Sequence, residues 1–270
     1  MEESQNIQQL KQQTQDQWNT TACGQVGDIE WSLDYFLSVE KNRYENYGDW
    51  MRGFYRYDDH QGVKLLEIGF GQGTDLIQYA LGGADVTGVD LTENHYKLAT
   101  ENFKLRNLKA ELHHRDAAVL PFPDNSFDKV VSFGVLHHTP DIQVCVDEIY
   151  RVLKPGGKLV LSLYHRNSLY YWTTLLLKEG IFKGKLFTLG FDGLKAIIET
   201  GADGKKLKPY VKLYTHQSMK KLVHQFPSVQ IDIRHLYRKN IWIFGKILPD
   251  SAIKWLERRF GWYIIATCTK

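Results

Sequence analysis

The run LLEIGFGQGTD at residues 65–75 limits the fold of this chain more than any other feature of the sequence. An apolar segment typical of a buried strand leads into glycines at positions 69, 71 and 73, and a helix-like segment follows. Glycine lets the backbone turn sharply and lets a ligand reach main-chain atoms that a Cβ would block. The run therefore predicts a strand, a tight ligand-holding loop and a helix, which together form one unit of an α/β fold.

Residues 62–165 alternate strand-like and helix-like segments, a pattern typical of a parallel sheet covered by helices. Within this region strands are predicted at 64–68, 85–89, 110–113, 129–133 and 158–163, and helices at 74–82, 92–106 and 140–153. Outside it, short amphipathic helices are predicted at 29–41 and 46–56, a helix from Thr215, and strands at 229–236 and 262–268. The chain is thus expected to form one α/β sheet with additions.

Changes in composition divide the chain into four expected regions. Residues 1–60 are polar and then aromatic, and we expect an N-terminal helical lid segment there. Residues 61–165 are expected to be the ligand-binding core, and 214–270 the C-terminal part of the core sheet. Residues 166–213 are rich in aromatic residues and leucine, with a Gly/Lys turn region at 201–209, and are expected to form an inserted cap over the substrate.

The net charge of +3 is unevenly distributed. Residues 1–165 carry 15 Lys and Arg against 24 Asp and Glu, whereas residues 166–270 carry 19 against 7. A basic C-terminal part could attract an anionic substrate, a membrane surface or nucleic acid, or it could be an ordinary solvated face. The basic, aromatic stretch 240–261 likewise fits weak membrane-surface association, with packing against the sheet as the alternative.

Three cysteines, Cys23, Cys145 and Cys268, stand far apart and form no CxxC or Cys/His group. Neither a disulfide framework nor a metal site is therefore expected. The N-terminal residues lack the apolar segment of a signal peptide, and no run has the ~18 apolar residues of a membrane-spanning helix. Taken together, these features favour a cytoplasmic location.

The spacing of the glycines bears on the ligand. Dinucleotide-binding enzymes use GxGxxG, which seats a pyrophosphate on a helix N-terminus. Here the third glycine comes one residue earlier and Thr74 takes its place, which favours a ligand without a pyrophosphate. Asp90 ends the second predicted strand, where a carboxylate can accept hydrogen bonds from ribose hydroxyls. Alternatively, it only begins the next helix near that helix's positive end.

Further motifs follow in order: Asp116-Ala117, LPFPDNSFD at 120–128, VLHH at 135–138 and LKPGG at 153–157. Together with 67–73 and Asp90 they resemble the class I S-adenosylmethionine (SAM)-dependent methyltransferase superfamily, in particular its ubiquinone/menaquinone methyltransferase-like, small-molecule group. The resemblance is close over 62–165 and loose over 214–270. It implies a Rossmann-like seven-stranded sheet of order 3-2-1-4-5-7-6 with the last strand antiparallel.

The resemblance also implies a cofactor site for SAM, with S-adenosylhomocysteine (SAH) as product and no metal. At the methionine end, Gly69, Gly71 and Gly73 would form the bend around the cofactor. Glu67 would face the ammonium group, and Phe133 would line the same end.

At the adenosine end, Asp90 would hold the ribose and Leu91 would pack on the adenine face. Asp116 would accept a hydrogen bond from the adenine amino group, and the Ala117 N–H would meet a ring nitrogen. The KPGG segment is expected to be a turn with no chemical role.

Methyl transfer from SAM needs an acceptor held in line with the methyl group and, for some acceptors, a general base. His137 and His138 follow the fourth strand, where open α/β sheets place ligands, and are candidate bases. They could equally only shape the turn before a helix predicted to start with Thr139 as N-cap and Pro140 as first residue. His165, after the fifth strand, is the third candidate.

The acceptor is expected to be a small or amphiphilic molecule, because an aromatic cap can supply an apolar pocket. Candidate substrate contacts are Tyr35, Tyr44, Tyr164, Arg166 and Tyr171. The other aromatic residues expected to shape that pocket are Tyr170, Trp172, Phe182, Phe187 and Phe191. Ordinary packing of aromatic helix faces and a polar loop at Arg166 are the alternatives.

Other functions remain open on the sequence alone. An RNA or protein methyltransferase is one alternative, although SFGV at 132–135 lacks the Asn/Asp-Pro-Pro-aromatic element of amino-methylating enzymes and no RNA-binding module is recognisable. An NAD(P)-dependent oxidoreductase and a non-catalytic SAM-binding protein are the others. We expect no nucleic-acid partner, and the sequence does not indicate an oligomeric state.

Overall fold

A computed structural model describes residues 2–47, 50–200, 210–241 and 244–270. In these ranges seven strands form one sheet of order β3-β2-β1-β4-β5-β7-β6. The strands are β1 Lys64–Ile68, β2 Asp85–Asp90, β3 Glu111–His114, β4 Phe127–Phe133, β5 Leu153–Tyr164, β6 Ser228–Arg234 and β7 Tyr263–Thr269. β7 runs antiparallel to both β5 and β6, and the other pairings are parallel. The predicted fold class and strand order are confirmed.

Ten α-helices accompany the sheet in the described ranges. They are α1 Glu2–Thr20, α2 Leu33–Tyr47, α3 Trp50–Tyr55, α4 Thr74–Leu81, α5 Glu93–Leu105, α6 Ile142–Val152, α7 Lys185–Thr200, α8 His216–Leu222, α9 Phe244–Ile247 and α10 Asp250–Phe260. A 3-10 helix spans Leu136–His138, another spans Arg238–Ile241, and a π-helix spans Tyr170–Phe182. Among the described helices, none combines the length and the apolar character that crossing a membrane requires.

The sheet has a hydrophobic core on each of its two faces, because side chains alternate between the faces along each strand. Leu65 and Leu66 are both fully buried, but they point to opposite faces because successive strand residues alternate. Leu66 joins a cluster with residues of α6 and α8, and Leu65 joins one with residues of α3, α4 and α5. β1 has β2 on one side and β4 on the other, so the chain reverses its winding direction there. Open α/β sheets bind ligands at such a point, beyond the carboxyl ends of the strands.

Several local predictions need correction. α1 was not predicted, because its sequence is polar and the side chains it buries, Thr14 and Gln17, are themselves polar. The helix expected to have Pro140 as its first residue begins at Ile142, after a 3-10 helix that ends at His138. The KPGG segment lies inside β5 instead of forming a separate turn, with a register shift opposite it between Phe127 and Lys129.

The other expectations concern the cap and the C-terminal part. Residues 166–200 form the π-helix and α7, which pack together, and the turn region expected at 201–209 lies outside the described residues. In the basic, aromatic stretch 240–261, α10 packs on β6. The division into a lid segment, core, cap and C-terminal part remains a proposal.

Lys129 of β4 is a half-buried cation in the sheet. Its ammonium group contacts His60 Nε2 at 2.9 Å and lies 4.9 Å from the centre of the Tyr79 ring. Burial, together with the charges of Lys158 and Arg56, lowers the pKa of Lys129 from 10.5 to about 8. A basic group whose pKa is lower in the folded state than in the unfolded state destabilises the folded state at every pH at which the unfolded state is protonated.

We therefore expect Lys129→Met to change the pH dependence of stability. As pH falls from 10.5 to 8, the unfolded wild type binds a proton that the folded state does not, so its free energy of unfolding decreases. Relative to wild type, the variant should gain up to about 3 kcal/mol over this range. Urea unfolding of both proteins across the range measures the difference, and a constant difference would contradict a half-buried, destabilising charge at Lys129.

Candidate functional site

The glycine bend after β1 brings two loops together. Gly69, Gly71 and Gly73 have φ of +76°, +55° and +79°, in the left-handed region that favours glycine. A Cβ on Gly69 would lie only 2.4 Å from the Cγ atoms of Val135, in the loop after β4. Glycine at position 69 thus permits the close approach of the β1 and β4 loops, which forms the floor of a cleft.

The cleft lies at the carboxyl ends of β1, β2 and β4 and has a volume of about 780 Å³ including the part open to solvent. Residues that line the cleft include Lys11, Thr14, Trp18, Gly69, Gly71, Asp90, Leu91, Asp116, Ala117, Val135 and His138. Six of the nine predicted cofactor contacts, all but Glu67, Gly73 and Phe133, are thus brought to one cleft.

Asp90 is held firmly at the end of β2. Its carboxylate accepts hydrogen bonds from the backbone N–H groups of Gly71 and Thr92, both at 2.9 Å, and from the Thr92 hydroxyl. His95 Nδ1 contacts both carboxylate oxygens, and its Nε2 accepts from the Cys23 N–H, which makes Nδ1 the protonated nitrogen. Burial alone would raise the pKa of Asp90, but His95 and these donors lower it below its ordinary value. The carboxylate therefore stays ionised at the cleft.

α1 covers the other end of the cleft. The Lys11 ammonium group lies 2.8 Å from Asp116 Oδ2, while the Ala118 N–H donates to Asp116 Oδ1. Gln15 donates to the Leu91 carbonyl. Trp18 packs edge-on against His138, with ring centres 5.5 Å apart. A helix that the sequence reading missed thus supplies one wall of the cleft.

A second cavity, the polar pocket, adjoins the cleft at Gly69 and is lined by Arg43, Glu67, Asp75 and Phe133 among others. Glu67 is buried, and its Oε2 has no hydrogen-bond partner among the described residues. Burial, and next the negative charge of Asp75, raise the pKa of Glu67 well above its ordinary value. The Arg43 guanidinium pairs with Asp75 and lies 4.9 Å from the centre of the Phe133 ring.

The two histidines after β4 are buried beside the cleft. Their ring centres lie 4.2 Å apart, and the His137 ring packs on Tyr164 at 3.7 Å. Burial, with the neighbouring His138, lowers the pKa of His137 well below its ordinary value. His138 lines the cleft, and Glu199 of α7 approaches it from the cap.

The structure places the remaining predicted residues elsewhere. His165 is buried, with Nδ1 bonded to the Gly261 carbonyl at 3.0 Å, and Arg166 is exposed. Tyr35 packs in a small cluster with Phe36 and Leu98, and Tyr44 donates to Asp75 at 2.9 Å. Tyr164 and Tyr171 are buried in the sheet core. None of these six residues lines the cleft or the polar pocket.

Four residues near the cleft were not found by sequence reasoning. Lys11 and Trp18 lie on the unpredicted helix, and Arg43 and Glu199 belong to helices distant in sequence from the motifs. No local pattern marks them. Their positions depend on how α1, α2 and α7 pack over the strand ends, which only the folded chain reveals.

A glycine bend after β1, an ionised carboxylate at the end of β2 and a polar pocket beside the bend are typical of the nucleoside-binding clefts of Rossmann-like proteins. Comparison with known proteins narrows this class. The family model for a methyltransferase domain matches residues 66–161. The chain is 33% identical over 159 residues to a demethylmenaquinone methyltransferase of Geobacillus, covering 55% of this chain and 67% of that protein. It therefore belongs to the class I SAM-dependent methyltransferase superfamily.

Two further relatives show the extent of the likeness. The chain is 42% identical over 113 residues to the demethylmenaquinone methyltransferase of Listeria welshimeri, covering 36% of this chain and 47% of that protein. It thus spans about half the length of several curated relatives it matches. A crystal structure of phosphoethanolamine N-methyltransferase 2 of Haemonchus contortus has the same fold, with a TM-score of 0.60, 19% identity, and coverage of 95% of this chain and 60% of that one.

The close approach at Gly69 predicts unequal effects of two alanine substitutions. Gly71→Ala should cost about 1–2 kcal/mol, because alanine is strained at positive φ and the nearest atom, Cys23 Cβ, is 3.7 Å away. Gly69→Ala adds the collision with Val135 and should cost about 1–3 kcal/mol more. Urea unfolding measures both, and equal losses would contradict the packing described.

Proposed function

We propose that this chain transfers a methyl group from SAM to a small, amphiphilic acceptor and leaves SAH as product. Its relatives support the reaction class, since their names describe methyl transfer to demethylmenaquinone and to phosphoethanolamine. The observation that carries the proposal is the junction of the cleft and the polar pocket at Gly69. A nucleoside would lie in the cleft, and a charged amino-acid tail would lie in the pocket.

The adenosine part would lie in the cleft. Asp90 would accept from the ribose hydroxyls, Leu91 would pack on the adenine, and Asp116 with the Ala117 N–H would meet the adenine edge. Lys11 already contacts Asp116, so the adenine amino group would have to share that carboxylate with α1. α1 and α2 then act as the lid segment of residues 1–60.

The methionine part would lie in the polar pocket. The unpartnered Glu67 oxygen would accept from the ammonium group, and that positive charge would favour the ionised form of Glu67. Arg43 would face the carboxylate, and Phe133 would line the sulfur end. A dinucleotide is disfavoured here, because the third glycine comes one residue earlier than in the GxGxxG loop that seats a pyrophosphate.

SAM supplies an activated methyl group, which leaves a positively charged sulfur when an acceptor atom attacks in line. The protein has to orient the acceptor and exclude water. Of the candidate bases, His137 and His138 lie beside the cleft whereas His165 is bonded to Gly261. We therefore place the acceptor's reacting end near His137 and His138.

An exposed aromatic tip on the cap supports an amphiphilic acceptor. Phe182, Phe187 and Phe191 are 70%, 80% and 62% exposed, and they lie around the turn between the π-helix and α7. They do not line the cleft, so the apolar pocket expected from the cap is not formed by these side chains. With Lys183 beside them, they suit the surface of a membrane or micelle that carries the acceptor.

Asp90 provides a test of the cofactor site. In isothermal titration, wild type should bind SAH and not NAD, and Asp90→Asn should weaken SAH binding about 10- to 100-fold, because it removes a charged acceptor of hydrogen bonds. Glu93→Gln, three residues further on the exposed start of α5, is the matched control and should bind as wild type does. Binding of NAD but not SAH would overturn the proposal. SAH release with a panel of quinol and amine acceptors then tests methyl transfer itself.

The aromatic tip provides a second test. The triple variant Phe182→Ser, Phe187→Ser, Phe191→Ser should lose at least about half of its cosedimentation with anionic lipid vesicles, because serine removes the apolar contact area. Leu81→Ser with Val119→Ser alters exposed apolar residues away from the cap and should leave cosedimentation unchanged. Equal binding of wild type and the tip variant would contradict the assignment of the tip.

A further inference from the structure

Three potential metal ligands meet where the cap touches the strand ends. His137 and His138 lie in the 3-10 helix after β4, and Glu199 lies in the last turn of α7. One ligand atom from each lies within 4.8 Å of the others. His137 and the side chains of His138 and Glu199 are 0%, 5% and 8% exposed.

The hydrogen bonds of His138 fix which nitrogen faces Glu199. Nδ1 lies 2.9 Å from the Tyr210 carbonyl oxygen, which can only accept, so Nδ1 carries the proton and donates. In the neutral ring, Nε2 therefore presents a lone pair to Glu199 Oε1, 3.6 Å away. This distance exceeds a hydrogen bond, and neither atom has another partner within the described ranges. Two buried acceptors facing each other are unfavourable unless a cation lies between them.

His137 adds a third unpartnered group. It is fully buried, and neither of its ring nitrogens has a hydrogen-bond partner in the part of the chain that the structure describes. A proton shared by His138 and Glu199 would satisfy only that pair and leave both nitrogens of His137 unpartnered. A metal ion would accept one lone pair from each of the three residues, and only the N–H of the neutral His137 ring would stay without a partner.

We propose that His137, His138 and Glu199 bind a divalent metal ion of the zinc type. Two imidazoles and a carboxylate form a ligand set that zinc accepts, with bonds of about 2.0–2.2 Å. Tetrahedral ligands at such distances lie about 3.3–3.5 Å apart, close to the 3.6 Å between His138 Nε2 and Glu199 Oε1. Three protein ligands leave a fourth position open for an oxygen ligand, from water or a bound molecule.

The surroundings match those of metal sites. A ligating histidine usually donates its other N–H to a carbonyl, as His138 does to Tyr210. No local pattern in the sequence indicates this site, because Glu199 is 61 residues from His138. The inference goes beyond the proposed function and does not depend on it, since metal binding needs neither SAM nor an acceptor.

Metal binding is measured directly on the full chain. The protein is treated with a chelator and dialysed against Zn²⁺ or Co²⁺, and bound metal is determined by mass spectrometry. We expect one equivalent per chain, with the intense visible absorption of four-coordinate Co²⁺. Glu199→Gln and His138→Gln should each weaken binding at least about tenfold, measured by competition with a chromophoric chelator.

Two controls separate this site from adventitious binding. Glu179→Gln makes the same change elsewhere on the cap, and His224→Gln removes an exposed histidine. Both should bind metal as wild type does. Absence of stoichiometric binding to wild type, weak octahedral Co²⁺ absorption, or binding that survives Glu199→Gln would each overturn the inference. If the variants fail to fold, as circular dichroism would show, the wild-type stoichiometry and Co²⁺ spectrum decide the question alone.

Discussion

The close contact between Gly69 and Val135 is the constraint on which the site depends. It lets the loops after β1 and β4 approach each other more closely than any side chain at position 69 would allow. Because β1 has β2 on one side and β4 on the other, this contact lies where the sheet reverses its winding. The cleft, the polar pocket and the two histidines are all placed relative to it.

Two buried carboxylates near this contact differ in their surroundings. Asp90 accepts hydrogen bonds from two backbone N–H groups, a hydroxyl and His95, and these donors outweigh the effect of burial on its pKa. Glu67 has an oxygen with no partner among the described residues and lies near Asp75, so its pKa is raised instead. Asp90 is thus ionised before any ligand arrives, whereas Glu67 is best stabilised by a cation. This difference suits a ligand with neutral hydroxyls at one end and an ammonium group at the other.

Sequence reasoning succeeded where the pattern is local. The bounds of β1 were predicted to the residue, because an apolar run followed by glycines indicates the local backbone conformation. The order of the strands followed from the family resemblance. It missed α1, whose buried contacts are the polar Thr14 and Gln17 instead of an apolar stripe. Glu199 and Arg43 could not be found either, because their approach to the strand ends depends on contacts between distant segments. Tyr35 and Tyr44 are the opposite kind of error. The pattern predicted them as substrate contacts, but Tyr35 packs in a hydrophobic cluster and Tyr44 donates to Asp75.

The cap connects two environments that differ strongly in polarity. Its exposed tip carries Phe187 and Phe191, while Glu199, near the end of the same helix, is buried against His138. From Phe191 to Glu199 the helix rises about 12 Å. Gly190, at φ +70°, interrupts the helix between Phe187 and Phe191, so the two tip residues lie on either side of a kink. Burying the Glu199 carboxylate is unfavourable unless it is paired with a cation or protonated. The cation or proton that pairs with Glu199 therefore also stabilises the packing of the cap on the sheet.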